Sequence, residues 1–301
     1  MNSIKNNEVE KNKCAPSKMY DGGSCFSLES LKLIALAYNN NFPNKINLNL
    51  PKDKLTDTLV NRIKECGDNQ MCWLSIKWIK NINDTEINDF TFRPIGPQGR
   101  LDWLSTTDID SVMIQHMNVY PDFKFYGAVP IDFAELPAYD IYNINFNNIY
   151  NNNITKIGLI VNFDNHRQSG SHWVAIYSDI GKGEIYYFDS YGTPPKDSRI
   201  TDFIKRISLW CYKKHVLNSD SDTDLDTESN FMCKNKQNKY EENLDVKYNN
   251  KRHQKEGTEC GVYSINFILR ILKGEKFQDI CNNITPDKEV NKCRDKYFRN
   301  L

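Results

Sequence analysis

Apolar side chains recur at Leu28, Leu31, Ile34, Ala35 and Tyr38, the three-and-four spacing of one helix face, and this predicts a helix over Ser27–Tyr38. Ser27 can cap it, and Glu29 falls in the first turn, where a carboxylate meets the positive end of the helix dipole. Two more amphipathic stretches follow, Thr56–Cys66 and Met71–Ile79. Pro43 and Pro51 punctuate the first gap and Gly67-Asp68-Asn69 the second. Residues 1–13 are polar and read as a frayed end. Residues 1–95 are thus expected to form an N-terminal helical arm, closed by a Pro- and Gly-dense connector, Phe90–Arg100.

From residue 96 to 301 the texture changes. Ser105–Met117 reads as a helix, with Thr106 or Thr107 able to cap it and Asp108 and Asp110 in its first turn. Four strand-like runs follow: Phe123–Val129, Ile157–Phe163, His172–Ser178 and Glu184–Asp189. The last two flank Asp179–Gly183, whose Gly and Asp content signals a hairpin. Thr201–Lys214 and Gly261–Leu272 carry helical apolar faces, Val246–His253 can form a strand, and Asp287–Phe298 reads as a closing helix. Residues 218–245 are Asp-rich and low in complexity. Their alternating acids fail the calcium-loop pattern, because Leu225 stands where the sharp-turn Gly belongs and Phe231 where the bidentate Glu belongs, so a solvated insert is expected. Strands flanked by helices indicate an α+β fold with a central mixed, mostly antiparallel sheet.

Charge narrows the function. The 39 Lys and Arg balance 39 Asp and Glu, which leaves no electrostatic footprint for wrapping a nucleic acid. The cluster Lys247, Lys251, Arg252, His253 and Lys255 reads as a solvated loop. The longest apolar runs, Leu33–Tyr38 and Ile157–Val161, fall far short of the roughly 20 residues that span a bilayer. No signal-peptide segment opens the chain, so export is not expected. Nine cysteines without a C-x-x-C spacing predict no metal site and free thiols in a reducing compartment.

One of those thiols is placed differently from the rest. Cys260 follows the turn Glu256-Gly257-Thr258-Glu259 and opens a strong helix, where the dipole favours a thiolate; Gly257 and Gly261 allow a tight turn. A nucleophilic thiol needs a base. Among five histidines His172 stands at the mouth of a core-like strand, held yet accessible. Asp189 ends the partner strand of the same hairpin, where it can orient an imidazole. Gln254, six residues before Cys260, can join backbone N–H groups at the helix start in an oxyanion hole. Singly, each reads as ordinary: a buried cap, a core histidine, a turn residue, a surface amide. Together they form one ordered set.

That set, His172-Trp173, Asp189 and Gln254-x5-Cys260-Gly261, resembles the ubiquitin-like-protein-processing cysteine proteases, which include the SUMO-specific and adenovirus proteases. The pattern is closest to the polyprotein-processing proteases of large DNA viruses such as African swine fever virus. Asp102-Trp103-Leu104-Ser105 with Asp108-Ile109 resembles their Trp-Leu motif. The resemblance spans roughly residues 100–300, and it implies that Cys260 is the nucleophile, His172 the base, Asp189 its orienter and Gln254 the oxyanion donor. Trp103, Trp173 and Gly261 would line a narrow tunnel for Gly-rich cleavage sites, with no metal or cofactor. It also implies maturation of viral precursors, in the host cytoplasm or the virion. The alternatives are deconjugation of SUMO or ubiquitin-like proteins, and a silent module that grips Gly-rich tails.

Overall fold

The computed structural model describes residues 13–139, 141–215 and 244–300. Nearly all of the polar insert expected at 218–245 lies outside the described residues, as does Cys233. The chain forms two compact units, Met1–Gly96 with Asp295–Leu301, and Pro97–Arg294.

In the first unit, helix α1 (Leu28–Asn41) is capped by Ser27, whose side chain accepts the N–H of Ser30. Helix α2 spans Lys52–Arg62, starting and ending four residues earlier than the apolar pattern predicts, because Pro51 supplies an extended residue at its start. The stretch expected as a single helix over 71–79 is two short turns, α3 (Gln70–Trp73) and α4 (Lys77–Lys80). Fully buried Phe26 stacks on Trp73 at 5.7 Å and meets Phe92 edge-on at 5.2 Å. Phe92 therefore belongs to this core, and the expected connector is partly structural: residues 13–15 pair with 91–93. Free thiols were expected throughout, and this is wrong for four of them. Cys14–Cys25 and Cys66–Cys72 are disulfides, with Cα atoms 5.3 and 5.6 Å apart. Spacing along the sequence does not reveal which thiols the packed helices bring together.

The second unit is α+β. Its sheet has the order β1 (Phe123–Pro130), β2 (Lys156–Asn162), β3 (Trp173–Asp179), β4 (Glu184–Phe188) and β5 (Asp245–Tyr248). The outer pairs are parallel and the inner two antiparallel. Helix α5 (Thr106–Met117) packs on β1, and α6 (Phe146–Asn151) lies in the β1–β2 crossover. Helix α7 (Ser198–His215) covers one face of the sheet, burying Phe203, Ile204 and Ile207 against Ile157, Val174 and Ile185. Helix α8 (Cys260–Leu272) covers the other, with Phe267 stacked on Phe188 at 4.8 Å. This two-sided burial explains why β2 and β3 read as continuous apolar runs rather than alternating ones.

Local details differ from the sequence reading. Ser105, not Thr106 or Thr107, caps α5, in a reciprocal capping box with Asp108. Strand β5 stops at Tyr248, so His253 is not in a strand; it is buried against the Cys281 carbonyl. An unpredicted short helix, α9 (Phe277–Asn282), precedes the predicted closing helix, which breaks into α10 (Asp287–Asn291) and α11 (Arg294–Tyr297).

Candidate active site

The β3–β4 hairpin closes on Asp179 opposite Glu184 and keeps register to Ala175 opposite Phe188. His172 immediately precedes β3 and Asp189 immediately follows β4, so both stand at the open end of the hairpin. His172 Nε2 and Asp189 Oδ1 are 2.6 Å apart, and both residues are buried. The same oxygen accepts the backbone N–H of Tyr191 at 2.9 Å.

Cys260 is the first residue of α8, the element that packs on β3, and its thiol is near enough to His172 to raise the imidazole's pKa. Nε2 is engaged by Asp189, so Nδ1 is the nitrogen that can serve a thiol. Burial alone would push His172 down. The interactions with Asp189 and Cys260 outweigh it and raise the pKa from 6.5 to about 9. The buried thiols of Cys211 and Cys281 have no such partner, and burial pushes both up to about 12. Two aromatic rings complete the imidazole's surroundings: Tyr191, stacked nearly parallel at 4.4 Å, and Phe163, tilted at 5.4 Å.

Gln254 is fully buried rather than a surface amide. Its Oε1 accepts from Ser190 Oγ at 2.7 Å and its Nε2 donates to the Glu256 carbonyl at 2.8 Å. Ser190, next to Asp189, also accepts the N–H groups of His253 and Gln254 through its carbonyl. The hairpin end and the segment leading to Cys260 are thereby joined.

The Trp103 segment comes from the other side. Trp173 Nε1 donates to the Leu104 carbonyl at 3.0 Å. At Gly261 a Cβ would stand 3.1 Å from Leu104 Cβ and 3.4 Å from Trp173 Cδ1, so glycine keeps the helix start close to both. Trp103, 44% exposed, joins Trp173, Asn162, Asp164 and His166 in lining a cleft of about 380 Å³. His166 forms a second imidazole–carboxylate pair there, Nδ1 to Asp132 Oδ2 at 2.5 Å.

Two contributors escaped the sequence reading. Asn249 exchanges two hydrogen bonds with the backbone of Asp189. Arg294, wholly buried, donates to the Asp102 carbonyl at 2.8 Å and the Thr258 carbonyl at 3.1 Å, fastening the residues before Trp103 to those before Cys260. One Asn in an Asn-rich chain, and one Arg among many, give no local signal.

Residues 143–301 match the profile of the Ulp1 protease family, C-terminal catalytic domain. That match covers more than half of the chain. The chain belongs to the Ulp1 protease family. A relative from Acanthamoeba polyphaga mimivirus, named as a thiol protease, is 34% identical over 310 aligned positions, 96% of this chain and 94% of that one. A protein of African swine fever virus, named as a SUMO-1 cysteine protease, is 27% identical over 146 residues, 47% of this chain and 43% of that one. The crystal structure of an African swine fever virus protease shares the fold, at a TM-score of 0.61 and 17% identity over 95% of each chain. As a member of the Ulp1 family the chain is of the cysteine protease type, with the α+β fold expected from its sequence. Among the described residues no helix is long and apolar enough to cross a membrane.

Proposed function

We propose that the protein is a cysteine endopeptidase in which Cys260 attacks the scissile carbonyl. His172 takes the thiol proton through Nδ1, so that an imidazolium faces a thiolate. It then gives that proton to the leaving amine as the acyl-enzyme forms, and water releases the acyl group by the same steps in reverse. Asp189 fixes the ring through Nε2. The oxyanion forming on the carbonyl oxygen is met by backbone N–H groups at the start of α8 and by the second amide hydrogen of Gln254, beyond the one given to Glu256. One observation carries this reading: a single imidazole is hydrogen-bonded to a buried carboxylate and has its pKa raised by both that carboxylate and a thiol at a helix N-terminus.

On the substrate side, Trp103, Trp173 and Gly261 would line a narrow tunnel over the residues before the scissile bond, and Gly261 is packed against Leu104 and Trp173. Small residues, and Gly-Gly-X sites above all, are the expected targets. The viral origin of its relatives supports a viral setting, and precursor processing during virion maturation, in the host cytoplasm or the virion, is the role proposed for it. The name given to one relative, SUMO-1 cysteine protease, supports a second reading, deconjugation of a folded ubiquitin-like protein. Quenched Gly-Gly-X, Gly-Ala-X and unrelated peptides, with wild type and Cys260→Ala in parallel, test the first. Cys260-dependent cutting after Gly is the expected result, and Cys260-independent cutting refutes the assignment. Cleavage of a SUMO conjugate without any peptide cleavage would favour the second reading.

A further inference from the structure

The turn after Asp189 is built to place one aromatic ring. The Asp189 carboxylate accepts the N–H of Tyr191 and its carbonyl accepts that of Gly192 at 2.7 Å, an Asx-type turn on the residue that also holds His172. Gly192 sits at φ +72°, and a Cβ there would lie 2.6 Å from the Lys251 carbonyl carbon and 2.8 Å from Arg252 N. Only glycine lets the 251–252 backbone come this close, and that approach brings the Arg252 guanidinium to 5.0 Å from the Tyr191 ring centroid. Arg252 is held in turn through Nε to the Gln254 carbonyl at 2.7 Å. Tyr191 is 37% exposed, so burial of its own surface does not account for this bracing.

We propose that Tyr191 is a positioning residue for His172, a plate held by Asp189, Gly192 and Arg252 against the face of the imidazole. The inference rests on the assignment of His172 as the base. Asp189 constrains the ring within its plane through one nitrogen. A parallel ring at 4.4 Å, 10° from coplanar, blocks rotation out of that plane and keeps Nδ1 aimed at the thiol. The face of an aromatic ring also attracts a cation, so the plate favours the imidazolium over the neutral base. The ionisable groups around the plate are Cys260, Arg252, Asp189 and Glu259. The positive charge of Arg252 works against the imidazolium, and its contribution is to hold the ring in place.

The test compares wild type, Tyr191→Ala and Tyr191→Phe, each shown to be folded by circular dichroism. NMR titration of His172 and the pH dependence of Gly-Gly-X cleavage are both read. In Tyr191→Ala the His172 midpoint is expected to fall by about half a pH unit or more. The same variant should lose about tenfold or more in kcat, with KM little changed. Tyr191→Phe, which keeps the plate, should restore both. An unchanged His172 midpoint in Tyr191→Ala overturns the proposal, as does a loss that Phe fails to restore. The titration needs no turnover, so it decides the proposal even if wild type cleaves no peptide. Cleavage unaffected by Cys260→Ala would instead count against the protease assignment itself.

Discussion

Asp189 and Asn249 are joined twice: the Asp189 backbone N–H donates to Asn249 Oδ1 at 2.8 Å, and Asn249 Nδ2 donates back to the Asp189 carbonyl at 2.7 Å. Asn249 follows the edge strand β5 by one residue and is 1% exposed. It substitutes for the next rung of the β4–β5 ladder, so Asp189 ends its strand without leaving backbone groups unpaired. Asn249→Ala strands the buried N–H of Asp189, at a cost of roughly 1–3 kcal/mol, while the Asp189 carbonyl keeps the N–H of Gly192. A lowered urea midpoint together with reduced kcat is expected, and an unchanged midpoint would show that the clamp contributes nothing.

The raised His172 pKa fixes the sign of two pH effects. A pKa lifted from 6.5 to about 9 on folding stabilises the protein fully below 6.5, and that contribution is lost as pH rises through 9. The imidazolium required by the proposed mechanism is lost over the same range. The profile of kcat/KM should therefore hold through neutrality and fall near pH 9. An alkaline limb close to 7 would mean that Asp189 and Cys260 do not support the charge.

Asp189→Asn removes the negative charge while keeping a side chain beside Nε2. The alkaline limb should move toward lower pH, and kcat should drop less than in His172→Ala, which removes the base altogether. Equal losses in the two variants would indicate that orientation by the carboxylate is everything; a silent Asp189→Asn would point to another orienting group.

At Gly192, replacement by Ala combines a left-handed backbone with a Cβ pressed onto the Lys251 carbonyl carbon. A loss of stability greater than the roughly 1–2 kcal/mol that left-handed strain alone costs is expected, read as a lower Tm. Gly257, where an added Cβ meets nothing within 4 Å, is the control, and Gly257→Ala should change Tm little.

In the first unit, Cys14–Cys25 closes a short loop, 11 residues apart in sequence. Replacing the pair by Ser should destabilise that unit by about 3 kcal/mol through the unfolded chain. Urea unfolding with and without reductant reads this, and an identical midpoint in both would show that the bond adds no stability.

The set of chemical residues was legible because each of its members stands where periodicity breaks: His172 before a strand, Asp189 after one, Cys260 at the first turn of an amphipathic helix. The strands were equally clear, since burial on both sides of the sheet demands continuous apolar runs. What escaped was long-range pairing. Nothing local marks Cys14 for Cys25, Asn249 for Asp189, or Arg294 for the carbonyls of Asp102 and Thr258. His253 was misread for a related reason. It sits among Lys and Arg in the sequence, yet it is buried, while the charges flanking it reach outward.

His172 and Asp189 stand on one hairpin, 17 residues apart, whereas Cys260 arrives 71 positions later in the chain. A hairpin forms within microseconds once its strands exist, but ribosomes add only about 5–20 residues per second. Both proposed acid–base residues are thus in the chain on the order of 4–14 s before the proposed nucleophile is synthesised. On the proposed assignment, a nascent chain becomes reactive only when one late helix docks.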